Sequence, residues 1–270
     1  MEELVSPYDE PPNPYLINTF AAINIAVYLF ELASPVRSSG MGSSSLPLIY
    51  GAKINELILY GEWWRLITPM FLHSGLLHVA FSSWALLTFG PLVDRAYGSF
   101  AFCMIYFLGG VSGNLMSFFH TPEATVGGTG PVFAVIGSWI VYLIQNRVAL
   151  GEEIADRMIQ KAVVASVLSV ALSCLTPIDD WTHLGAACAG VIFGFLVCPV
   201  VPVNVSSKKI FYDPSDNGQE GFLVVNQWPD PGKLFTIFSL FIATLVTLFF
   251  VLAPIITEFH LSNMSDNIFD

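Results

Sequence analysis

Long apolar runs separated by short polar segments dominate the pattern of hydrophobic positions along this chain. Seven such runs lie near residues 15–34, 69–92, 97–119, 127–147, 161–177, 181–202 and 234–256. A helix needs about 20 apolar residues to cross the hydrocarbon core of a bilayer. Because the runs are close to that length, the pattern predicts seven transmembrane helices and an all-α, polytopic membrane protein that contacts the lipid bilayer.

The composition supports a membrane protein and excludes other classes. Of 270 residues, 54% are hydrophobic and 11% are charged, whereas soluble domains carry about 25% charged residues. The net charge of −11 argues against nucleic-acid binding, which needs a basic face. The four cysteines lie in apolar runs without a CxxC pair, so we expect packing roles and no metal or other cofactor.

The polar segments carry further signals. The stretch 54–67 is amphipathic and contains Trp63, Trp64 and Arg65, a grouping typical of the membrane interface, where indole rings are favoured. The N-terminal segment 1–14 is acidic and proline-rich. Signal and transit peptides are basic and poor in acidic residues, so we expect no targeting peptide in this chain.

Ionisable and hydroxyl residues recur near the start of the even-numbered spans. His73 and His78 lie near the start of the second span, Thr129 of the fourth and His183 of the sixth. These spans begin on the same side, so the residues are expected to meet at one depth. Intramembrane histidines usually face a bundle interior or a water-filled cavity. A metal site at the two nearby histidines lacks a third ligand at plausible spacing, so none is expected.

Two interpretations of Thr129 and His183 follow from the residues alone. A hydroxyl becomes a nucleophile when a neutral imidazole accepts its proton, and the N–H groups of Gly127, Gly128 and Gly130 could hold a developing negative charge at a helix N-terminus. Alternatively, Thr129 only caps the fourth span and His183 bonds a backbone carbonyl.

Glycines at short spacing predict close helix packing. Small residues let membrane helices approach each other tightly. The third and sixth spans carry such residues, and we expect the fourth span, with Gly130 and Gly137, to pack against the sixth. The glycines of the third and sixth spans are Gly109, Gly110, Gly113, Gly185, Gly190 and Gly194.

Several motifs, in order along the chain, resemble those of the rhomboid intramembrane proteases. Residues 61–78, GEWWRLITPMFLHSGLLH, resemble the first loop and second span of that family, and Asp94-Arg95 with Gly98 resembles its acidic-Arg-x-x-Gly turn. Residues 182–185, Thr-His-Leu-Gly, resemble its sixth-span histidine motif. The resemblance covers about residues 15–202 and is nearest to the plant plastid rhomboid-like group.

The resemblance implies a domain organisation and a class of partner. It implies a six-helix rhomboid core over 15–202, with an interfacial loop at 35–68 that lies partly in the outer leaflet, plus a seventh transmembrane helix at 234–256. A polar linker at 203–233 and acidic tails at 1–14 and 257–270 complete the chain. The implied partners are transmembrane segments of other membrane proteins, and the implied location is a plastid membrane.

The resemblance also implies roles for individual residues. Gly127-Gly128-Thr129-Gly130 lies where the family has Gly-x-Ser-Gly, so Thr129 is the implied nucleophile and His183 the implied base. His78, Ser82 and Gly128 are implied to line the oxyanion site. The implied structural residues are His73, Trp64, Arg65, Gly127, Gly130 and Gly190. We expect Arg65 to anchor the interfacial loop by bonding loop carbonyls.

The chain departs from the family at two of these positions. Thr129 replaces serine, and its extra methyl restricts χ1, so a small misplacement of the oxygen could cost about 100-fold in rate. Ser82 replaces an asparagine and would reach the site only through water, and losing one oxyanion donor costs about 100- to 1,000-fold.

These departures leave three functional hypotheses. The first is a weak or non-catalytic pseudoprotease that binds transmembrane segments. The second is an active serine-type intramembrane endopeptidase that uses Thr129 and His183, and the retained histidine favours it. The third, a channel or transporter, is disfavoured because no span carries a charged pathway at mid-depth.

Overall fold

The computed structural model describes residues 14–36, 44–173, 179–201 and 229–266. The helices, in chain order, are α1 (Pro14–Ala33), α2 (Leu46–Gly51), α3 (Asn55–Leu59), α4 (Leu76–Tyr97), α5 (Ser99–His120), α6 (Gly130–Gln145), α7 (Arg147–Leu150), α8 (Glu152–Ser173), α9 (Asp180–Val197) and α10 (Pro231–Asp266). Two 3-10 turns, Trp63–Leu66 and Thr68–Phe71, precede α4. The short strands β1 (Pro35–Val36) and β2 (Ser44–Ser45) pair antiparallel.

The prediction of an all-α, polytopic membrane protein is confirmed. Within the described ranges, five helices are long and apolar enough to span a bilayer, namely α1, α4, α5, α9 and α10. The apolar helix α6 is shorter, at 16 residues, and α8 begins with Glu152 and Glu153, which lower its hydropathy. The count of seven spans therefore stays a prediction.

Several predicted boundaries are wrong because hydropathy does not mark where a helix begins. The second span was expected from residue 69, but α4 begins at Leu76. The apolar stretch before it contains a 3-10 turn, Thr68–Phe71, with a proline at its second position. Gly75 then has an extended backbone, with φ 166° and ψ 174°. His73 therefore precedes α4, and only His78 lies in its first turn.

Other boundaries differ for local reasons. Helix α6 begins at Gly130 rather than 127, because Thr129 is its N-cap residue. Helix α8 begins at Glu152 rather than 161, since its first turns are polar but helical. Helix α9 ends at Val197 rather than 202, and Cys198, which precedes a proline, is disfavoured in the α conformation.

The C-terminal helix is longer than predicted. The extra span expected at 234–256 agrees with the apolar part of α10, Pro231–Ile255, but the helix continues to Asp266, so much of the predicted acidic tail at 257–270 is helical. No glycine or proline follows Pro254 to end the helix. The predicted tail 1–14, apart from residue 14, and most of the predicted linker 203–233 lie outside the described residues.

The core lies where α5, α6 and α9 pack closely together. A Cβ built on Gly194 of α9 would lie 2.9 Å from the Cα of Ser138 on α6, and one on Gly137 would lie 3.0 Å from the carbonyl oxygen of Ala187. A Cβ on Gly109 of α5 would overlap Ala134. The predicted glycine packing between the third, fourth and sixth spans is therefore confirmed.

Helix α10 packs on the outside of this core. Phe249 lies 5.3 Å from Phe118 of α5, between ring centroids, and Phe241 lies 6.3 Å from Phe193 of α9. Most of α10 between residues 231 and 255 is exposed, as expected for a helix that faces lipid on one side.

Replacing Gly190 by alanine tests the closest helix contact. Its Cβ would overlap the backbone of Ala134, so we expect Gly190→Ala to lower the free energy of unfolding by about 3 kcal/mol, the upper end of overpacking effects. The measurement is thermal unfolding in detergent micelles. Gly75→Ala is the matched control, because its Cβ meets nothing within 4 Å. Equal stability of the two variants would contradict the prediction.

Candidate active site

Thr129 and His183 form a hydrogen-bonded pair in the buried interior. The Oγ1 atom of Thr129 lies 2.5 Å from Nε2 of His183, and each residue is only 3% exposed. Thr129 occupies the N-cap position of α6, but its side chain makes no capping hydrogen bond. The interpretation of Thr129 as a simple helix cap is therefore wrong. His183 Nδ1 finds no hydrogen-bond partner among the described residues, so the backbone-carbonyl alternative for His183 is wrong as well.

His78 bonds the same hydroxyl from the other side. Its Nε2 lies 3.1 Å from Thr129 Oγ1. Its Nδ1 accepts a hydrogen bond from the backbone N–H of Ser74 at 3.1 Å. A backbone N–H can only donate, and a neutral imidazole carries one proton, so the His78 proton is on Nε2. His78 therefore donates to Thr129 Oγ1.

These two bonds leave the hydroxyl hydrogen available to His183. Because Thr129 Oγ1 accepts from His78, it can donate its own hydrogen to His183 Nε2, which accepts it when the proton of the neutral imidazole is on Nδ1. In that tautomer the proton on Nδ1 faces Asp180 Oδ1, 3.7 Å away. The arrangement is the one in which an imidazole can act as base toward a hydroxyl.

An aromatic ring holds the imidazole of His183. The ring of Phe133 stacks on it, with centroids 4.3 Å apart and an interplanar angle of 20°. Phe133 lies four residues after Thr129 on α6, and residues at this spacing share a helix face. Phe133 was not predicted as a site residue, although its spacing from the predicted nucleophile was a usable signal.

The N–H groups of the glycine cluster are not free to bind an anion. Gly127 donates to the Pro69 carbonyl at 2.8 Å, Gly128 donates to the Leu72 carbonyl at 3.0 Å, and Gly130 donates to the Gly127 carbonyl at 2.9 Å. These three N–H groups are therefore already bonded in this structure, because the loop before α6 pairs with the backbone before α4. The expected role of Gly128 in the oxyanion site stays a prediction.

The hydroxyl of Ser82 is also already bonded in this structure. Its Oγ donates to the Gly128 carbonyl at 3.1 Å, so its only hydrogen is already used in a direct bond rather than through water. One unbonded donor remains beside the pair, the N–H of Thr129, which makes no hydrogen bond within the part of the chain that the structure describes. The Nε2–H of His78 also lies at the pair, where it donates to Thr129 Oγ1.

Comparisons with known proteins show to which family this chain belongs. The Rhomboid domain family model matches residues 60–200, which include Thr129, His183 and His78. This chain belongs to the rhomboid family.

Relatives of this rhomboid include a plastid protein and bacterial proteases. It is 52% identical to RHOMBOID-like protein 9, chloroplastic, of Arabidopsis thaliana, over 87% of this chain and 53% of that protein. It is 33% identical to Rhomboid protease GluP of Bacillus subtilis, over 66% of this chain and 34% of that protein. It is 30% identical to Rhomboid protease AarA of Providencia stuartii, over 64% of this chain and 69% of that protein. The aligned part covers about half of the first relative and a third of the second.

His73 packs beside the site of this rhomboid without touching the hydroxyl. Its Nδ1 lies 3.2 Å from the Phe71 carbonyl, its ring centroid lies 4.9 Å from that of His78, and a Cβ on Gly128 would overlap its ring. Burial lowers the pKa of His73 from 6.5 to about 4. The residue therefore stays neutral and acts in packing, which agrees with its expected structural role.

Arg65 anchors the interfacial loop. Its Nη1 and Nη2 donate to the carbonyls of Ala52 and Ile49, each at 2.8 Å, and its Nε lies 2.6 Å from Glu62 Oε2. The guanidinium is 3% exposed. The prediction that Arg65 bonds loop carbonyls is confirmed.

Trp64 lies at the outer side of the same loop. Its indole Nε1 donates to the Tyr50 carbonyl at 3.0 Å, and half of the side chain is exposed. The amphipathic piece expected at 54–67 is resolved into α3 and the 3-10 turn Trp63–Leu66. An exposed indole that donates one hydrogen bond suits a position at the membrane interface.

Removing Arg65 should destabilise the protein more than it alters the Thr129 site. Arg65→Ala leaves two carbonyls and Glu62 without their donor, so we expect a loss of about 3 kcal/mol, as for a broken buried ion pair. Thermal unfolding and the yield of folded protein measure it. Arg147→Ala is the control, because that arginine forms only exposed ion pairs, with Asp156 and Glu152, and it should have little effect. Unchanged stability of Arg65→Ala would refute the prediction.

The lowered pKa of His73 predicts that the stability of the folded protein depends on pH. Its pKa is about 4 in the folded protein and about 6.5 when unfolded, so its neutral form stabilises the fold above pH 6.5. This stabilisation is lost as the pH falls from 6.5 to 4, by up to about 3 kcal/mol. The stability difference between wild type and His73→Asn, which cannot titrate, should therefore shift in favour of the variant over this range. A difference that stays constant between pH 7 and 4.5 in thermal unfolding would contradict it.

Proposed function

We propose that this rhomboid-family protein binds transmembrane segments of other membrane proteins and hydrolyses them slowly or not at all. The observation that carries the proposal is the hydrogen bond from Ser82 to the Gly128 carbonyl. It consumes the one polar hydrogen at a position four residues after His78, from which a donor would otherwise support an oxyanion. Binding needs the shape of the site, whereas hydrolysis needs every donor in place.

The expected losses in rate multiply. An absent oxyanion donor costs about 100- to 1,000-fold. Thr129 carries a methyl group that serine lacks, beside an imidazole on which Phe133 stacks, and a small displacement of the attacking oxygen costs about another 100-fold. A protein with both changes retains the geometry for recognition but little hydrolytic rate.

A second candidate is an active intramembrane endopeptidase. The 2.5 Å bond between Thr129 and His183, in which the imidazole can accept the hydroxyl proton, favours it. In that reaction Thr129 Oγ1 attacks the scissile carbonyl, His183 accepts its proton, and His78 Nε2–H with the Thr129 N–H holds the oxyanion. His183 then protonates the leaving amine, and water releases the acyl group by the same steps. We also propose a plastid membrane, by analogy with the chloroplastic relative.

Restoring the two altered positions tests the proposal. Wild type, Thr129→Ser and Thr129→Ser with Ser82→Asn are reconstituted in liposomes with a single-span model substrate. Binding is measured by photocrosslinking from the substrate's transmembrane segment, and cleavage is measured by mass spectrometry. We expect equal crosslinking in all three and cleavage at least about 100-fold faster in the double variant than in wild type.

Control variants separate the two candidates. Thr88→Ser makes the same exchange at an exposed threonine on α4, whose hydroxyl bonds only the Trp84 carbonyl, and it should have no effect. Wild-type cleavage as fast as that of the double variant, abolished by both Thr129→Ala and His183→Ala, would overturn the proposal and establish the endopeptidase. Absence of crosslinking would refute the binding function.

A further inference from the structure

Lys53 is a fully buried cation in the interfacial loop. Its side chain has no exposed surface, and its Nζ donates to the Thr121 carbonyl at 2.5 Å. Its backbone also pairs with Thr125, through two hydrogen bonds of 3.0 Å. Lysine is almost never fully buried unless it is paired, so this residue calls for an explanation that neither the fold nor the Thr129 pair supplies.

Burying a charged ammonium group at this position lowers the stability of the folded protein. Burial lowers the pKa of Lys53 from 10.5 to about 8, although the carboxylates of Asp179, Glu123 and Glu56 act in the opposite direction. An uncharged side chain of similar length would avoid this desolvation. The contribution of Lys53 therefore lies in the groups that it holds together.

Thr121 connects Lys53 to the start of α9. While its carbonyl accepts from Lys53, its hydroxyl donates to Asp179 Oδ1 at 2.9 Å. Asp179 is the N-cap of α9, and its carboxylate accepts from the Trp181 N–H at 3.1 Å and from the Thr182 hydroxyl at 3.1 Å. One continuous set of hydrogen bonds thus runs from the loop to the first turn of α9.

The last residue of this set, Thr182, lies next to both His183 and the loop that carries Thr129. Thr182 directly precedes His183 in the chain. Its methyl carbon lies 3.1 Å from the Cβ positions built on Gly127 and on Gly130, the glycines around Thr129. A shift of Thr182 would therefore move the imidazole and crowd the loop that carries the hydroxyl.

We infer that Lys53, Thr121 and Asp179 form a polar clamp that positions His183 against Thr129 by tying the first turn of α9 to the interfacial loop. The three are positioning residues, since none touches the hydroxyl. The inference goes beyond the proposed function, because the clamp acts whether or not the pair hydrolyses a substrate.

The simpler alternative is that Asp179 acts as a helix cap by itself. A cap needs only the bonds from Asp179 to the first turn of α9, and Lys53 and Thr121 would then be incidental neighbours. Thr121→Val separates the two, because it keeps the carbonyl that binds Lys53 and leaves Asp179 in place, but it removes the hydroxyl that joins them. Thr121→Ser retains that hydroxyl and is the matched control.

Hydrogen–deuterium exchange of the peptide over residues 180–186, in detergent micelles, tests the clamp without any substrate. We expect exchange about five-fold faster in Thr121→Val, as for the loss of one hydrogen bond, faster exchange also in Lys53→Met, and the wild-type rate in Thr121→Ser. Thr68→Val removes a loop hydroxyl that bonds the Gly51 carbonyl at 2.7 Å and has no link to α9, so it should leave this peptide unchanged.

A second readout reports on His183 itself. In a Thr129→Ser background, the rate of labelling by a fluorophosphonate should fall with Thr121→Val and recover with Thr121→Ser. Wild-type exchange in Thr121→Val, or equal acceleration by Thr68→Val, would overturn the clamp. Failure of Thr129→Ser to label would count against the chemistry of the pair alone, because the exchange measurement still decides the clamp.

Discussion

The close approach of the α6 and α9 backbones is the constraint on which the site depends. Gly190 lies against the backbone of Ala134, and Gly194 lies against Ser138, so no side chain separates the two helices. Only at this separation can a hydroxyl at the N-cap of α6 reach an imidazole in the first turn of α9. The stacking of Phe133 on His183 and the bond from Thr129 to His183 both follow from it.

The membrane-spanning character was predictable because the bilayer imposes a simple rule on length and polarity. The same rule explains the wrong boundaries. Residues 69–75 are apolar enough to belong to a span, yet a 3-10 turn and an extended glycine keep them out of α4. Conversely, the first turns of α8 are helical although they are charged. Hydropathy reports the surroundings of a residue, whereas hydrogen bonding decides its conformation.

The residues that meet at the site could be predicted from the sequence, but the hydrogen bonds between them could not. Thr129, His183 and His78 meet as expected from their shared depth, while their catalytic roles stay predictions. Ser82 donates to the Gly128 carbonyl at 3.1 Å, and no spacing in the sequence encodes that contact. Lys53 gave no signal either, because a lysine in a loop is ordinarily exposed. Asp179 before a helix was a recognisable capping residue.

The non-helical backbone next to the site has a consequence for how the molecule assembles. The carbonyls of Pro69 and Leu72 receive their hydrogen bonds from the N–H groups of Gly127 and Gly128, so two irregular segments satisfy each other. Irregular backbone at membrane depth is tolerated only inside protein or beside water. Neither segment can lose its bound water until the other segment supplies replacement hydrogen bonds. We therefore expect this region to dehydrate last, after the helices on either side have already entered the lipid.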